Sequence, residues 1–250
     1  MNIATHPVAR APLARGFEQI RSGPYQLHLN AETLPHAAEI GIALRELAAA
    51  TATGAGNRRS GFRVALPAGP ELFVRRARRG GAMRLLLNDL YVGVRPRPFV
   101  ELAVAVEAIR RGVPLAEPMG AGVRWIGPGL YRGFFISRAL TGMTLWEFIR
   151  TDDEPSVRGY VLERAREAIE KMLRAGLYHP DLNLHNLFVA PQGESFRVII
   201  LDLDKARLGD QPLDTKTRRR IAERVARSAR KLDPRGRFID ADALTILNPA

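Results

Sequence analysis

Three side chains with oxygen to offer lie within a short stretch of the chain. Asp181 and Asn186 belong to His179-Pro180-Asp181-Leu182-Asn183-Leu184-His185-Asn186-Leu187, and Asp202 follows sixteen residues after Asn186 in the apolar run from Val198 to Ala206. A carboxylate can accept the proton of a hydroxyl, and a second carboxylate with a carboxamide offers the hard oxygens that magnesium takes beside water and phosphate. That combination suits phosphoryl transfer to a hydroxyl, a reaction that needs positioning and charge neutralisation more than covalent help. Taken singly, Asp181 and Asn183 could simply close turns, and His179 and His185 could be satisfied polar groups. The ordered set is what points to chemistry. A zinc site on His179, His185 and Asp181 finds no further ligand at metal-site spacing.

Such residues need elements to hold them. Phe188-Val189 reads as one strand and Val198-Ile199-Ile200-Leu201 as another, so a short hairpin brings Asp181, Asn186 and Asp202 together. Upstream, Ser156 is expected to cap a helix whose Val157, Val161, Leu162, Ala165, Ile169, Met172 and Leu173 form one face, with Gly176 closing it. Helical spacing also marks Glu32–Ala50, Phe99–Arg110 and Leu145–Arg150. Phe62–Leu66 and Glu71–Ala77 read as a hairpin around Pro-Ala-Gly-Pro, and Val123–Leu140 as two strands around Gly-Pro-Gly. Residues 1–22 mix Pro, Ala, Arg and Gly without periodicity and read as a loosely ordered arm.

Composition narrows the classes. The chain of 250 residues is 46% hydrophobic and 26% charged, as a folded globular protein is. It has no cysteine, which excludes disulfides and thiol nucleophiles. The first twenty residues lack the apolar core of a signal peptide, and no stretch approaches the roughly eighteen apolar residues of a membrane span. The formal charge of +12 favours anionic partners. Much of it lies on a helix expected over Thr217–Leu232, where Arg218, Arg219, Arg220, Arg224, Arg227, Arg230 and Lys231 surround Ile221, Val225 and Leu232. That helix is either an ordinary packed one with a solvated basic face or a contact for acidic lipid headgroups. Nucleic acid is not expected as a partner, because aromatic residues make up only 7% and none interleave with the basic run.

His179 to Asn186 resembles the H-x-D-L-x-x-x-N catalytic loop of protein-kinase-like enzymes, with Asp202 where those carry the Asp of D-F-G. More closely, His-Pro-Asp-Leu-Asn-Leu-His-Asn followed by Leu-Asp-Leu-Asp-Lys-Ala is similar to the bacterial 3-deoxy-D-manno-octulosonic acid (Kdo) kinases of the lipopolysaccharide kinase family. Those typically read HADLNAHN and then DFDR. Four further pieces agree in order: Leu72-Phe73-Val74-Arg75 with Arg79-Gly80-Gly81, Asn88-Asp89-Leu90-Tyr91, Arg97-Pro98-Phe99-Val100-Glu101, and Gly112-Val113-Pro114 with Pro118. The ending Arg224–Leu232 also resembles the family's. Pro180, Leu203 and Lys205 depart from its usual residues without removing a catalytic oxygen.

The resemblance implies an α+β, protein-kinase-like two-lobed fold: a mostly β lobe over 23–136 and a mostly helical lobe over 137–250, with ATP between them. It implies Asp181 as catalytic base, with Asn186 and Asp202 as magnesium ligands. Arg75 would contact ATP and pair with Glu101, although Glu107 on the same helix could serve instead. Gly54, Gly56 and Gly61 would line a loop over the triphosphate, and Asp204 would either ligate metal or orient a neighbour. The implied activity is ATP-dependent phosphorylation of the Kdo sugar on a lipid A precursor, at the cytoplasmic side of the inner membrane, with the basic face against it. Two rivals remain: a kinase of the same fold with a heptose, small-molecule or protein serine acceptor, and a non-catalytic nucleotide- or lipid-binding protein.

Overall fold

The computed structural model describes residues 13–52, 61–77, 90–152 and 154–247. It divides into two compact units, Met1–Val106 with Glu117–Ala139 and Glu107–Ala116 with Leu140–Ala250. A single boundary near Ile136 misses that Glu107–Ala116 belongs with the second unit. The reason lies in Arg111. Its guanidinium donates to the carbonyls of Ala175 (3.1 Å) and Gly209 (2.5 Å) and meets Glu107, binding this segment to second-unit chain.

In the first unit the elements run β1 (Phe17–Ser22), β2 (Tyr25–Asn30), α1 (Ala37–Ala52), β3 (Gly61–Ala65), β4 (Glu71–Arg76), β5 (Tyr91–Val92), α2 (Arg97–Arg110), β6 (Pro118–Gly127) and β7 (Leu130–Arg138). Their strands form one antiparallel sheet in the order β1-β2-β6-β7-β4-β3, with β5 paired to β7. One face packs with Ile40 and Leu44 of α1 on Leu27, Leu29, Leu72, Val74, Phe134 and Ile136. The other packs with Phe99 and Leu102 of α2 on Tyr91, Ala121, Val123 and Tyr131. Being covered on both sides, β6 is buried almost without alternation from Pro118 to Val123. Gly133 lets α2 approach: a Cβ there would stand 2.4 Å from the Pro98 ring.

Two expectations change here, and one strand has no counterpart among them. Phe17–Ser22 is no loose arm but strand β1, paired along its length with β2, because Phe17 joins the α2-side core and Ile20 packs on the other; residues 1–12 lie outside the described chain. The first helix begins at Ala37, since Leu34–His36, with Pro35, forms a tighter 3-10 turn before it. Strand β2 carries no clean alternation, being buried from Tyr25 to Leu29, and so leaves no half-buried signature.

The second unit follows as β8 (Met143–Thr144), α3 (Leu145–Thr151), α4 (Pro155–Arg174), β9 (Leu177–Tyr178), β10 (Leu187–Gln192), β11 (Ser195–Ile200), β12 (Arg207–Leu208), α5 (Thr215–Leu232) and α6 (Ala241–Ile246). Its strands make two small sheets, β11-β10-β8 and β12-β9. Thr144 caps α3 in a reciprocal capping box with Glu147. Ser156 does not cap α4. Pro155 takes the first helical position, where its fixed φ and missing N–H cost nothing, so the cap falls on Glu154, and Ser156 Oγ instead donates to the Glu154 carboxylate. Gly176 closes that helix as expected, at φ 78°. α5 starts at Thr215 because Asp214 accepts from the Thr217 N–H, satisfying one of the helix's unpaired donors.

Candidate active site

The loop between β9 and β10 is anchored by alternation. Leu182, Leu184 and Leu187 are fully buried, whereas Asp181 and His185 are exposed and Asn183 and Asn186 half-buried. The leucines fix the loop, and the polar residues between them are presented to solvent. Both asparagines brace Asp181 through its own carbonyl: Asn183 Nδ2 donates to it at 2.9 Å and Asn186 Nδ2 at 2.8 Å. Spending that nitrogen leaves Asn186 Oδ1 as the atom able to ligate a cation.

His179 is buried and explains why a histidine heads the motif. Its Nδ1 accepts the Asp181 N–H at 3.2 Å, so Nε2 carries the proton and donates to the Leu201 carbonyl at 3.0 Å. Burial pushes its pKa below the ordinary value, keeping the ring neutral, against a smaller opposing pull from the Leu201 bond and the Asp202 and Asp181 charges. One ring thus joins the loop of Asp181 to the segment of Asp202. With both nitrogens engaged it has no lone pair for zinc, and among the described residues no group of three or more His, Cys, Asp or Glu could hold a metal.

The β10–β11 hairpin completes the arrangement. Leu187 faces Ile200 at its base, and the Leu201 N–H donates to the Asn186 carbonyl at 2.8 Å. Asp202 then turns into the left-handed region at φ 59°, a costly conformation for a residue with a Cβ and one found where the surroundings impose it. Its exposed carboxylate accepts the Asp204 backbone N–H at 3.3 Å. The His179 ring and the Leu201–Asn186 bond thus hold the segments of Asp181, Asn186 and Asp202 against one another, and a carboxamide oxygen with an exposed carboxylate is a donor set of the kind magnesium takes.

Sequence reasoning missed one contributor. Arg224 of α5 donates from Nη1 to the His179 carbonyl at 3.1 Å. Counted among the helix's cations, it is set apart by position, for it adjoins buried Val225 and lies three residues after buried Ile221, on the flank of the packed stripe.

The first unit holds the remaining candidates. Arg75 on β4 forms an ion pair with Glu101 on α2, both largely buried, and its guanidinium lies over the Phe135 ring at 5.8 Å. Glu107 is instead taken by Arg110 and Arg111, whose hydrogen bonds hold its carboxyl down to about 2. The choice between the two glutamates thus falls to Glu101. Gly61 opens β3 opposite Arg75, where a Cβ would press on the Phe73 ring and the Val74 carbonyl. Gly54 and Gly56 lie outside the described residues.

These are the parts of a protein-kinase-like fold: a sheet with a buried Arg–Glu pair, and a helical unit whose hairpin gathers an Asp, an Asn and a second Asp. The chain belongs to the lipopolysaccharide kinase (Kdo/WaaP) family, which it matches over residues 46–245. It is 32% identical over 177 residues to a 3-deoxy-D-manno-octulosonic acid kinase of Xylella fastidiosa (strain M12), a match covering 67% of this chain and 65% of that protein, slightly under two thirds of its length. A 3-deoxy-D-manno-octulosonic acid kinase of Xanthomonas oryzae pv. oryzae (strain PXO99A) is 29% identical over 192 residues, covering 75% and 73%. Among solved structures, WaaP in complex with acyl carrier protein shares the fold with a TM-score of 0.50 at 17% identity, covering 77% of this chain and 76% of the other.

Proposed function

We propose that this chain transfers the γ-phosphoryl group of ATP to a hydroxyl of the Kdo sugar on a lipid A precursor, in lipopolysaccharide core biosynthesis. The supporting observation is the braced loop: Asp181 is exposed, its backbone held by Asn183, Asn186 and His179, beside an exposed Asp202. Family membership and relatives named as Kdo kinases supply the acceptor.

In this reading the Asp181 carboxylate takes the acceptor's proton as the hydroxyl oxygen bonds to the γ-phosphorus. The bond from that phosphorus to the bridging oxygen breaks, and ADP leaves with the electron pair. Magnesium, held by Asn186 Oδ1 and the Asp202 carboxylate, would neutralise phosphate charge. Arg75, kept in place by Glu101, would offer a forked guanidinium to phosphate oxygens.

With a lipid acceptor and ATP as donor, the protein would work at the cytoplasmic face of the inner membrane. The exposed side of α5 carries Lys216, Arg219, Arg220, Arg227, Arg230 and Lys231 with Glu223 as its acid, a surface suited to anionic headgroups at about 1 kcal/mol per cation. The test is incubation with magnesium, labelled ATP and a Kdo-bearing lipid A precursor. Label on the sugar that disappears in Asp181→Ala supports the proposal; transfer to heptose or peptide but not to Kdo overturns the acceptor.

A further inference from the structure

The first unit has a second feature that phosphoryl transfer does not use. Where β6 turns into β7 beside β5, three aliphatic side chains stand in solvent: Val92 (68% exposed), Val94 (71%) and Ile126 (46%). Single exposed aliphatics are ordinary, but two on the β5 segment beside one at the β6–β7 turn are not scattered. Register brings two of them to the same turn, since Val92 faces Leu130 across the β5–β7 ladder and Gly127 faces Leu130 across β6–β7, with Ile126 at the irregularity between Trp125 and Gly127, and Val94 follows two residues after Val92.

The tip is held rather than loose. The Gly93 N–H donates to the Gly129 carbonyl at 2.8 Å, tying the segment after β5 to the turn. Beneath it Tyr91, Tyr131 and Trp125 pack ring against ring, with centroids 5.6 and 5.4 Å apart. Arg95, next to Val94, is exposed, Arg124 and Arg132 are half-buried on β6 and β7 with Arg124 opposite Tyr25 of β2, and neither 90–98 nor 118–138 contains an acidic residue.

Exposed aliphatics on basic, acid-free segments over an aromatic base match the interfacial layer of an anionic bilayer: aliphatic groups enter the acyl boundary and a guanidinium such as that of Arg95 stays with phosphates. A protein partner would have to be both acidic and apolar at one small spot, whereas a lipid leaflet supplies both by construction. We propose that the β6–β7 turn and the segment after β5 insert shallowly into an anionic lipid surface through Val92, Val94 and Ile126. This deepens the membrane placement proposed above and rests on it, but uses a surface other than α5.

The absence of cysteine makes a single reporter unique. The chain carrying Val92→Cys, labelled with an environment-sensitive dye, is mixed with vesicles of phosphatidylcholine alone or with about 30% phosphatidylglycerol to give an anionic surface, and sedimentation is measured in parallel. The same label at Ser195→Cys on the β10–β11 turn is the control. Expected are a blue shift and a rise of at least about twofold in emission at position 92 with anionic vesicles alone, and no change at 195. Ile126→Asp with Val94→Asp, checked for folding by circular dichroism, should lower vesicle-bound protein about tenfold. Sedimentation with an unshifted label at 92 would overturn the insertion and leave membrane placement standing. No sedimentation would overturn both. A shift with purified acyl carrier protein but not with vesicles would give the tip to a protein partner and overturn the proposal.

Discussion

The Arg75–Glu101 pair and the loop of Asp181 treat charge in opposite ways. In the first unit two opposite charges are largely withdrawn from water and answer each other, with the Arg75 guanidinium over the Phe135 ring. In the second, the carboxylates of Asp181 and Asp202 stay exposed, and what is buried is the support: His179 and the leucines between the polar residues. A buried pair loses much when one partner goes, because the other remains desolvated. An exposed carboxylate on a braced loop can go with little effect on the fold and a large one on reaction. The contrast separates residues that hold a binding geometry from residues left available to react.

The largest expected effect tests the exposed side. Asp181→Ala should lower kcat about a thousandfold, the usual worth of a positioned base, while urea melts stay within about 0.5 kcal/mol of the parent. Near-normal turnover would remove Asp181 as the base; a large loss of stability would break the contrast itself. Glu101→Ala should do the reverse. Stability should fall by about 3 kcal/mol, as a nearly buried guanidinium loses its carboxylate, and KM for ATP should rise. An unchanged melt would show that Arg75 does not depend on Glu101.

Acid should sharpen the comparison. His28 is buried on β2, stacked on Phe99 at 3.7 Å, two residues before Glu101, and burial alone pushes its pKa down to about 4. The folded protein keeps this ring neutral, while the unfolded chain takes up a proton below about 6.5. Stability is therefore complete above that pH and falls as pH drops toward 4, by roughly 3 kcal/mol from this residue. His179 is lowered too, but the Leu201 bond and two nearby carboxylates oppose the shift. Melts at pH 7 and 4.5 should show wild type losing more than His28→Gln; equal losses would absolve His28. The smallest effect is expected from Arg224→Met, which removes a brace outside the reacting atoms. We expect kcat to drop about tenfold with KM for ATP within twofold, and a rise in KM alone would give Arg224 to nucleotide binding.

What was legible follows from how local each signal is. The loop from His179 to Asn186 and the strands after it lie in one short stretch, although only the burial of Leu182, Leu184 and Leu187 shows which side chains face out. β6 and β7 were legible because a Gly-Pro-Gly turn punctuates them. β1 was not: Phe17 and Ile20 are apolar only toward cores assembled from distant chain, and nothing local distinguishes Phe17–Ser22 from a tail. The cap of α4 was misplaced because Ser156 is a good cap by type, while Pro155 claims the first helical turn by geometry.

The sequence by itself determined the chemistry: which carboxylates and which amide are present, in what order, and that no thiol competes with them. It also determined the family, since ordered motifs survive in one dimension. Only the tertiary structure decided which glutamate meets Arg75, that His179 is a neutral bridge between two segments, that Arg224 braces the loop, and that the exposed Val92 and Ile126 flank one turn. Each depends on a distance between residues far apart in the chain, and such distances are set by packing and strand register, which residue spacing along the chain does not encode.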